Sequence, residues 1–187
     1  MSDWLQWRGI YISGICLFWF GYVLFQVRKN KRQLELWGIR KNNFRSSMYF
    51  LSPVIAISIL VCIIYAELNS NLFFNWQILP VLFLYPLWGI IQQFLMLSII
   101  SQTLSTFVNI KVNRYVIVLI VSALFSLIHY PSFFLMIFTF FLEIIFISAY
   151  FKWRNLWAIG IAHGWIATFL LIYVLNRNPW LELFSLN

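Results

Sequence analysis

Six long apolar stretches fill most of this chain, and nearly all of its basic residues fall in every second gap between them. The stretches run roughly over residues 9–27, 48–66, 78–100, 115–129, 133–151 and 156–175. A helix needs about 20 consecutive apolar residues to cross a bilayer, and only helices and closed barrels satisfy their own backbone there. A composition that is 63% hydrophobic and 10% charged leaves too little polar surface for a soluble domain. The chain is therefore expected to be all-α, a polytopic membrane helix bundle of about six transmembrane helices forming one integral-membrane domain over residues 1–187. The stretch 115–129 is the shortest of the six. The first is read as a retained span, because it is long, lacks a small-residue cleavage pattern and carries Phe18, Trp19, Phe20 and Tyr22.

The net charge of +8 is not a nucleic-acid signal, because it follows the loops. Arg28, Lys29, Lys31, Arg32, Arg40, Lys41 and Arg45 lie between the first two stretches. Lys111 and Arg114 lie between the third and fourth, and Lys152 and Arg154 between the fifth and sixth. Of the 13 basic residues only Arg8 and Arg177 fall on the other side. The positive-inside rule then places these three loops in the cytoplasm and both termini on the non-cytoplasmic side, in a bacterial cytoplasmic membrane or its equivalent. Trp4, Trp7, Trp76 and Trp180 are expected at the outer interface, and Trp37, Trp153 and Trp157 at the inner one. Residues 28–47, the one sizeable hydrophilic segment, are read as an anchor against anionic lipid, with partner docking as the alternative.

Pro53, Pro80 and Pro86 lie within or at the ends of spans, where neighbouring helices can satisfy the carbonyls they free. Pro131 is expected to end the fourth helix. Only Lys152-Trp153-Arg154-Asn155 separates the last two spans, so these are expected to be adjacent and antiparallel. Cys16 and Cys62 both fall inside spans and imply no disulfide framework.

Polar groups at membrane depth cost free energy unless paired, so each marks a site or a polar packing contact. Gln92, Gln93, His129, Glu143 and His163 are such groups. By helical rise, Gln92 lies roughly 20 Å along the third span and His163 about 10 Å into the sixth from the opposite face, so the two can share a pocket. His129 fits less well, since a straight fourth helix carries it roughly 20 Å from the inner side. The plain alternative for the glutamines is interhelical hydrogen bonding, and for Glu143 a protonated acid bonded to a neighbour. Two histidines without a third, or a nearby Cys, make a poor metal site, and no metal or cofactor is expected.

At these residues the chain resembles the CPBP (CaaX protease and bacteriocin-processing, or Abi) family of intramembrane peptidases. Phe125-Ser-Leu-Ile-His129 matches the family's Phe-x-x-x-His motif, continued by Tyr130-Pro131. Lys152-Trp-Arg-Asn155-Leu156-Trp157 leading into His163-Gly164-Trp165 resembles its last region, a basic turn before a helix bearing His-x-x-x-Asn. Leu36-Trp37-Gly38-Ile39-Arg40 resembles the loop before the family's core, which here would span about 78–175. The resemblance implies His129 and His163, with Glu143, as catalytic candidates. It places Gln92, Gln93, Phe125 and Asn155 at the pocket.

The departures bear on function. Gln92-Gln93-Phe-Leu-Met-Leu97 stands where the family has Glu-Glu-x-x-x-Arg, and Ala167 stands where the closing Asn belongs. Glu143-Ile-Ile-Phe-Ile147 replaces a small-residue Gly-x-x-x-Gly pattern. Glutamine is nearly isosteric with glutamate but accepts no proton, and loss of a general base costs about 10²–10⁴ in rate. The expected function is a catalytically degenerate pseudo-protease that binds or scaffolds a membrane peptide or lipidated partner, in contact with membrane lipids. The alternatives are an active endopeptidase using Glu143 with His129 or His163, and a structural, pigment-binding or lipid-binding subunit of a larger membrane complex.

The orientation has a direct check. In a background with Cys16 and Cys62 changed to Ser, Ser70→Cys should react with an impermeant thiol reagent from outside and Ser46→Cys only from inside; the reverse pattern overturns the orientation.

Overall fold

The computed structural model describes the backbone of residues 2–73, 76–101, 103–104 and 113–184, and their side chains except those of residues 2–13, 15–16 and 182–184. Lys111 lies outside the described residues, as do the side chains of Asp3, Trp4, Trp7, Arg8, Cys16 and Glu182. The regular elements among the described residues are all helical. The chain divides into two units, Met1–Leu36 and Trp37–Asn187.

In the first unit α1 (Ser2–Lys29) has 28 residues, about 42 Å at 1.5 Å each. It closes on Arg28 and Lys29, whose charges suit the carbonyl end of a helix. Asn30 follows, and its side chain accepts from the Arg32 N–H at 3.0 Å, opening the single turn α2 (Gln33–Leu36).

The second unit holds α3 (Phe44–Leu68), α4 (Ile78–Gln93), α5 (Arg114–Leu127), α6 (Phe133–Trp153), α7 (Leu156–Phe169) and the short α8 (Pro179–Phe184). Both α4 and α7 continue as wider π-helical turns, over Phe94–Ser101 and Leu170–Val174 respectively. With those extensions, α3, α4, α6 and α7 are long and apolar enough to cross a membrane, at 25, 24, 21 and 19 residues. The expected fourth span is shorter than that: α5 has 14 residues, about 21 Å. The helical membrane bundle is as expected, with four helices of full crossing length and one shorter apolar helix among the described residues.

The most extensive pairing sets α4 against α7, followed by α5 on α6 and α3 on α7. Small residues make the first possible. A Cβ on Gly89 would lie 2.6 Å from the Gly160 carbonyl oxygen, one on Gly160 would strike Ile90, and one on Gly164 would strike Pro86. Gly160-Ile-Ala-His163-Gly164 is thus a small-x-x-x-small seam on which two backbones meet, the usual way to hold helices together where lipid supplies no hydrophobic drive.

Of the prolines inside spans, Pro86 is served by a neighbouring helix and Pro53 by its own. Pro86 carries no N–H for the Leu82 carbonyl one turn back, and the Trp165 indole of α7 donates to that oxygen at 3.2 Å. Pro53 leaves the Tyr49 carbonyl, which accepts from the Ser52 hydroxyl at 2.9 Å. The fourth helix ends before Pro131, and Ser132 caps α6 by accepting from the Leu135 N–H.

Two expectations about loops change. Although α6 and α7 are joined by Arg154 and Asn155 alone, they share few contacts beyond the turn. They diverge because α7 leans on α4 and α3 while α6 pairs with α5. The hydrophilic segment, from Trp37 on, is also more than a surface anchor. The Trp37 carbonyl accepts from Ser98 Oγ at 2.6 Å and Tyr150 Oη at 3.1 Å, with the Trp37 indole buried edge-on against Phe94. The Gly38 carbonyl accepts from the Leu156 N–H at 2.9 Å. Gly38 holds φ +85°, where a side chain would be strained and would press on Arg154 and Tyr150. Arg40 donates to the carbonyls of Arg154 and Trp153 at 2.9 and 2.7 Å, covering the end of α6.

The Trp165 bond can be tested by a cycle. Trp165→Phe strands the Leu82 carbonyl and should cost about 1 kcal/mol or more, read by reversible unfolding in mixed micelles. In a Pro86→Ala background, where the new N–H can take that oxygen, the same change should cost clearly less.

Candidate functional site

Three helices each turn one stripe toward a common cavity of about 210 Å³. From α4 come Tyr85, Trp88 and Gln92, from α6 Leu135, Phe138, Thr139 and Leu142, and from α7 with its extension His163, Ile166, Ala167, Leu170 and Leu171. Those intervals of three, four and seven residues place each set on one helix face. His129, in the turn after α5, and the exposed Arg177, just beyond α7, complete the lining. The α6 stripe from Leu135 to Leu142 alone covers about 10 Å along the axis. Gln92, His129 and His163 thus line one cavity, despite the depth conflict seen in the sequence.

The histidines are set by aromatic neighbours. The Phe125 ring lies edge-on to both, at 5.1 Å from His129 and 5.6 Å from His163, with Phe146 tilted at 6.0 Å from His163. His129 Nδ1 lies 2.9 Å from the Phe125 carbonyl, which can only accept, so that nitrogen carries the proton. The glycine seam fixes His163, since a Cβ on Gly89 would lie 3.1 Å from its Cδ2. His163 is 7% exposed, and its Nδ1 has no hydrogen-bond partner among the described residues. Two imidazoles meet here, but no group of three His, Cys, Asp or Glu suited to a metal is found among the described residues. Two such ligands do not make a metal centre of the usual kind.

The adjacent glutamines separate, as residues 100° apart on a helix must. Gln92 lines the cavity, whereas Gln93 is fully buried and its Nε2 donates to Glu143 Oε2 at 2.9 Å. Glu143 is also fully buried and is not among the residues that line the cavity. Gln93 Oε1 and Glu143 Oε1 have no partner among the described residues. Leu97 sits in the apolar core, while Ala167 faces the cavity one turn beyond His163.

Asn155, expected at the pocket, is placed elsewhere. It caps α7 by accepting from the Ala158 N–H at 3.0 Å, and its amide donates to the carbonyls of Arg40 and Asn42 at 2.8 and 3.0 Å. A buried asparagine at a helix start satisfies orphan backbone groups better than it reaches a cavity two turns away. Tyr85, Trp88, Thr139 and Arg177 were not singled out from the sequence. The first two were legible as residues sharing Gln92's helix face; Arg177 lies beyond the last span and carried no such signal.

Together these features describe an all-helical protein with membrane-spanning helices and a cavity lined by two histidines. The family model described as Type II CAAX prenyl endopeptidase Rce1-like matches residues 74–169, just over half of the chain, and the chain belongs to that family. No curated protein and no solved structure matches it.

The Gln93–Glu143 bond joins α4 to α6. Gln93→Leu or Glu143→Leu alone should strand the partner and cost about 1–3 kcal/mol. The double Leu variant should lose less than the sum, and Glu143→Gln should be nearly neutral because two amides still pair. All are read from unfolding in mixed micelles.

Proposed function

We propose that this chain is a catalytically silent member of its family that uses the retained cavity to bind or scaffold a membrane peptide or lipidated partner, with both termini on the non-cytoplasmic side. The observation that carries this reading is the identity of the two altered motif positions that face the cavity. Gln92 cannot take a proton from water, and Ala167 offers no donor to an oxyanion. The histidines, by contrast, keep ordered positions against Phe125 and the glycine seam. Shape is kept while the chemistry is removed.

Glu143 supports the same reading. Its side chain is engaged with Gln93 and lies outside the cavity lining, so service as a relocated base requires that bond to break. Orientation rests on the basic loops: Arg40 and Arg154 gather at one end of the second unit, while Arg177 and the paired rings of Trp76 and Trp180 belong to the opposite loops.

The test compares cleavage of a prenylated CAAX peptide by wild type, Gln92→Glu/Gln93→Glu, and that pair with Leu97→Arg and Ala167→Asn. Wild type and the double variant should show no cleavage above a heat-denatured control. The double variant should also fold in lower yield, because Glu at 93 would face Glu143 at hydrogen-bonding distance, and adding Leu97→Arg and Ala167→Asn should restore part of the yield by pairing the charge. Cleavage by wild type above the heat-denatured control would refute catalytic silence.

A further inference from the structure

Positive charge collects where α3 begins and α6 gives way to α7, and nothing there balances it. Hydrogen bonds build the place. Arg40 donates to the carbonyls of Trp153 and Arg154, and the Asn43 amide reaches the Trp153 carbonyl at 3.3 Å. Asn155 in turn donates to the carbonyls of Arg40 and Asn42. Residues 40–43 are thus tied to residues 153–155, and the cations on or beside the two segments become neighbours: Lys41 and Arg45 from one, Lys152 and Arg154 from the other. The Lys152 ammonium lies over the Trp153 ring at 4.7 Å, and the Arg154 guanidinium over the Tyr150 ring at 5.9 Å. Lys41, Arg45 and Lys152 are exposed.

From Trp37 to Asn187 the acids are Glu67, Glu143 and Glu182. Glu67 is at the far end of α3, about 33 Å along the axis from Arg45. Glu143 is buried about 14 Å along α6 from Lys152 and is bonded to Gln93. Glu182 lies beyond the far end of the helix that starts at Leu156. Glu35 belongs to the first unit, and among the described residues no carboxylate is paired with any of the four cations. Both α3 and α6 are long enough to cross a membrane, so this rim stands at headgroup level. The rings of Phe50 and Trp153, 4.9 Å apart, fit the interfacial position that Trp favours. Lipid phosphates lie at that height, and Lys and Arg both bind phosphate.

We infer that Lys41, Arg45, Lys152 and Arg154 form a localised site for a phosphate of uncompensated negative charge, presented by an anionic lipid headgroup. The site is separate from the histidine cavity and does not depend on which side of the membrane this rim faces. It differs from a general attraction of residues 28–47 to anionic lipid, because half of its cations come from the α6–α7 turn. Binding must therefore depend on which cations are removed and not only on how many. A free phosphate offers the same chemistry, and the test separates the two sources.

The full chain in neutral detergent micelles is titrated with dioctanoyl phosphatidylglycerol and with dioctanoyl phosphatidylcholine, read by native mass spectrometry, and with inorganic phosphate, read by calorimetry. Wild type should bind phosphatidylglycerol at least about tenfold tighter than phosphatidylcholine, since each cation near a membrane surface contributes about fivefold. Lys41→Gln/Arg45→Gln/Lys152→Gln should abolish that preference while leaving phosphatidylcholine affinity unchanged, which also reports that the variant is folded. Arg28→Gln/Lys29→Gln/Arg32→Gln removes the same charge from the first unit and should leave the preference in place. Lys152→Gln alone should cost about fivefold and covers failure of the first triple variant to fold. Equal losses in the two triple variants indicate diffuse attraction and overturn the site. A wild type without the preference overturns the lipid assignment; inorganic phosphate binding that the first triple variant abolishes would then assign the site to free phosphate, and its absence would overturn the site altogether.

Discussion

The close approach of α4 and α7 at Gly89, Gly160 and Gly164 is the contact on which the rest of the second unit depends. Lipid tails are as apolar as leucine side chains, so helix association draws instead on close packing and on polar groups that find partners. Here the backbones touch, and the Trp165 indole supplies a donor for the carbonyl that Pro86 leaves open. The same seam holds His163 against Gly89 and, through helical spacing, turns Tyr85, Trp88 and Gln92 to one side. A bulkier residue at any of the three glycines would widen the helix pair and move an imidazole and an amide apart together.

Much of this could be read from residues near one another in the chain. The apolar runs gave the membrane helices, Pro131 gave the end of a helix, and Phe125 with His129 and His163 gave the family. Long-range pairings were hidden. Nothing local to Gln93 or Glu143 says that they meet, because 50 residues separate them and any of several helix orders would be compatible with the pattern. The short joint Lys152-Trp153-Arg154-Asn155 suggested two adjacent antiparallel helices, but a joint constrains only their ends. Asn155 read as a site residue because it sits in a motif-like turn; its hydrogen bonds show it serving the backbone around it. The Gly160–Gly164 pair was present in the sequence, but its role depends on what stands opposite.

The acid and amide in the core also change what the altered motif means. One carboxyl remains within 2.9 Å of the Gln93 side chain, contributed by α6 and not by α4. Counting motif letters along α4 alone records two acids lost. Counting groups in space records one position emptied of charge, at Gln92, and one position at which acid and amide face each other across a helix boundary. The first faces the cavity, and the second joins two helices. These are separate consequences of neighbouring substitutions, because a helix turns adjacent side chains in different directions.

The hydrophilic stretch between α1 and α3 looks uniform in composition, but its two halves differ in how they tolerate alteration. Up to Leu36 the described hydrogen bonds are local to the stretch itself, from Asn30 to Arg32 and along one helical turn. From Trp37 to Asn43, backbone or side-chain groups of five residues bond to Ser98, Tyr150 or the segment from Trp153 to Leu156. A reporter or affinity tag spliced ahead of Trp37 would leave the membrane bundle's own bonds in place. The same splice a few residues later would untie the start of α7, the helix that carries His163.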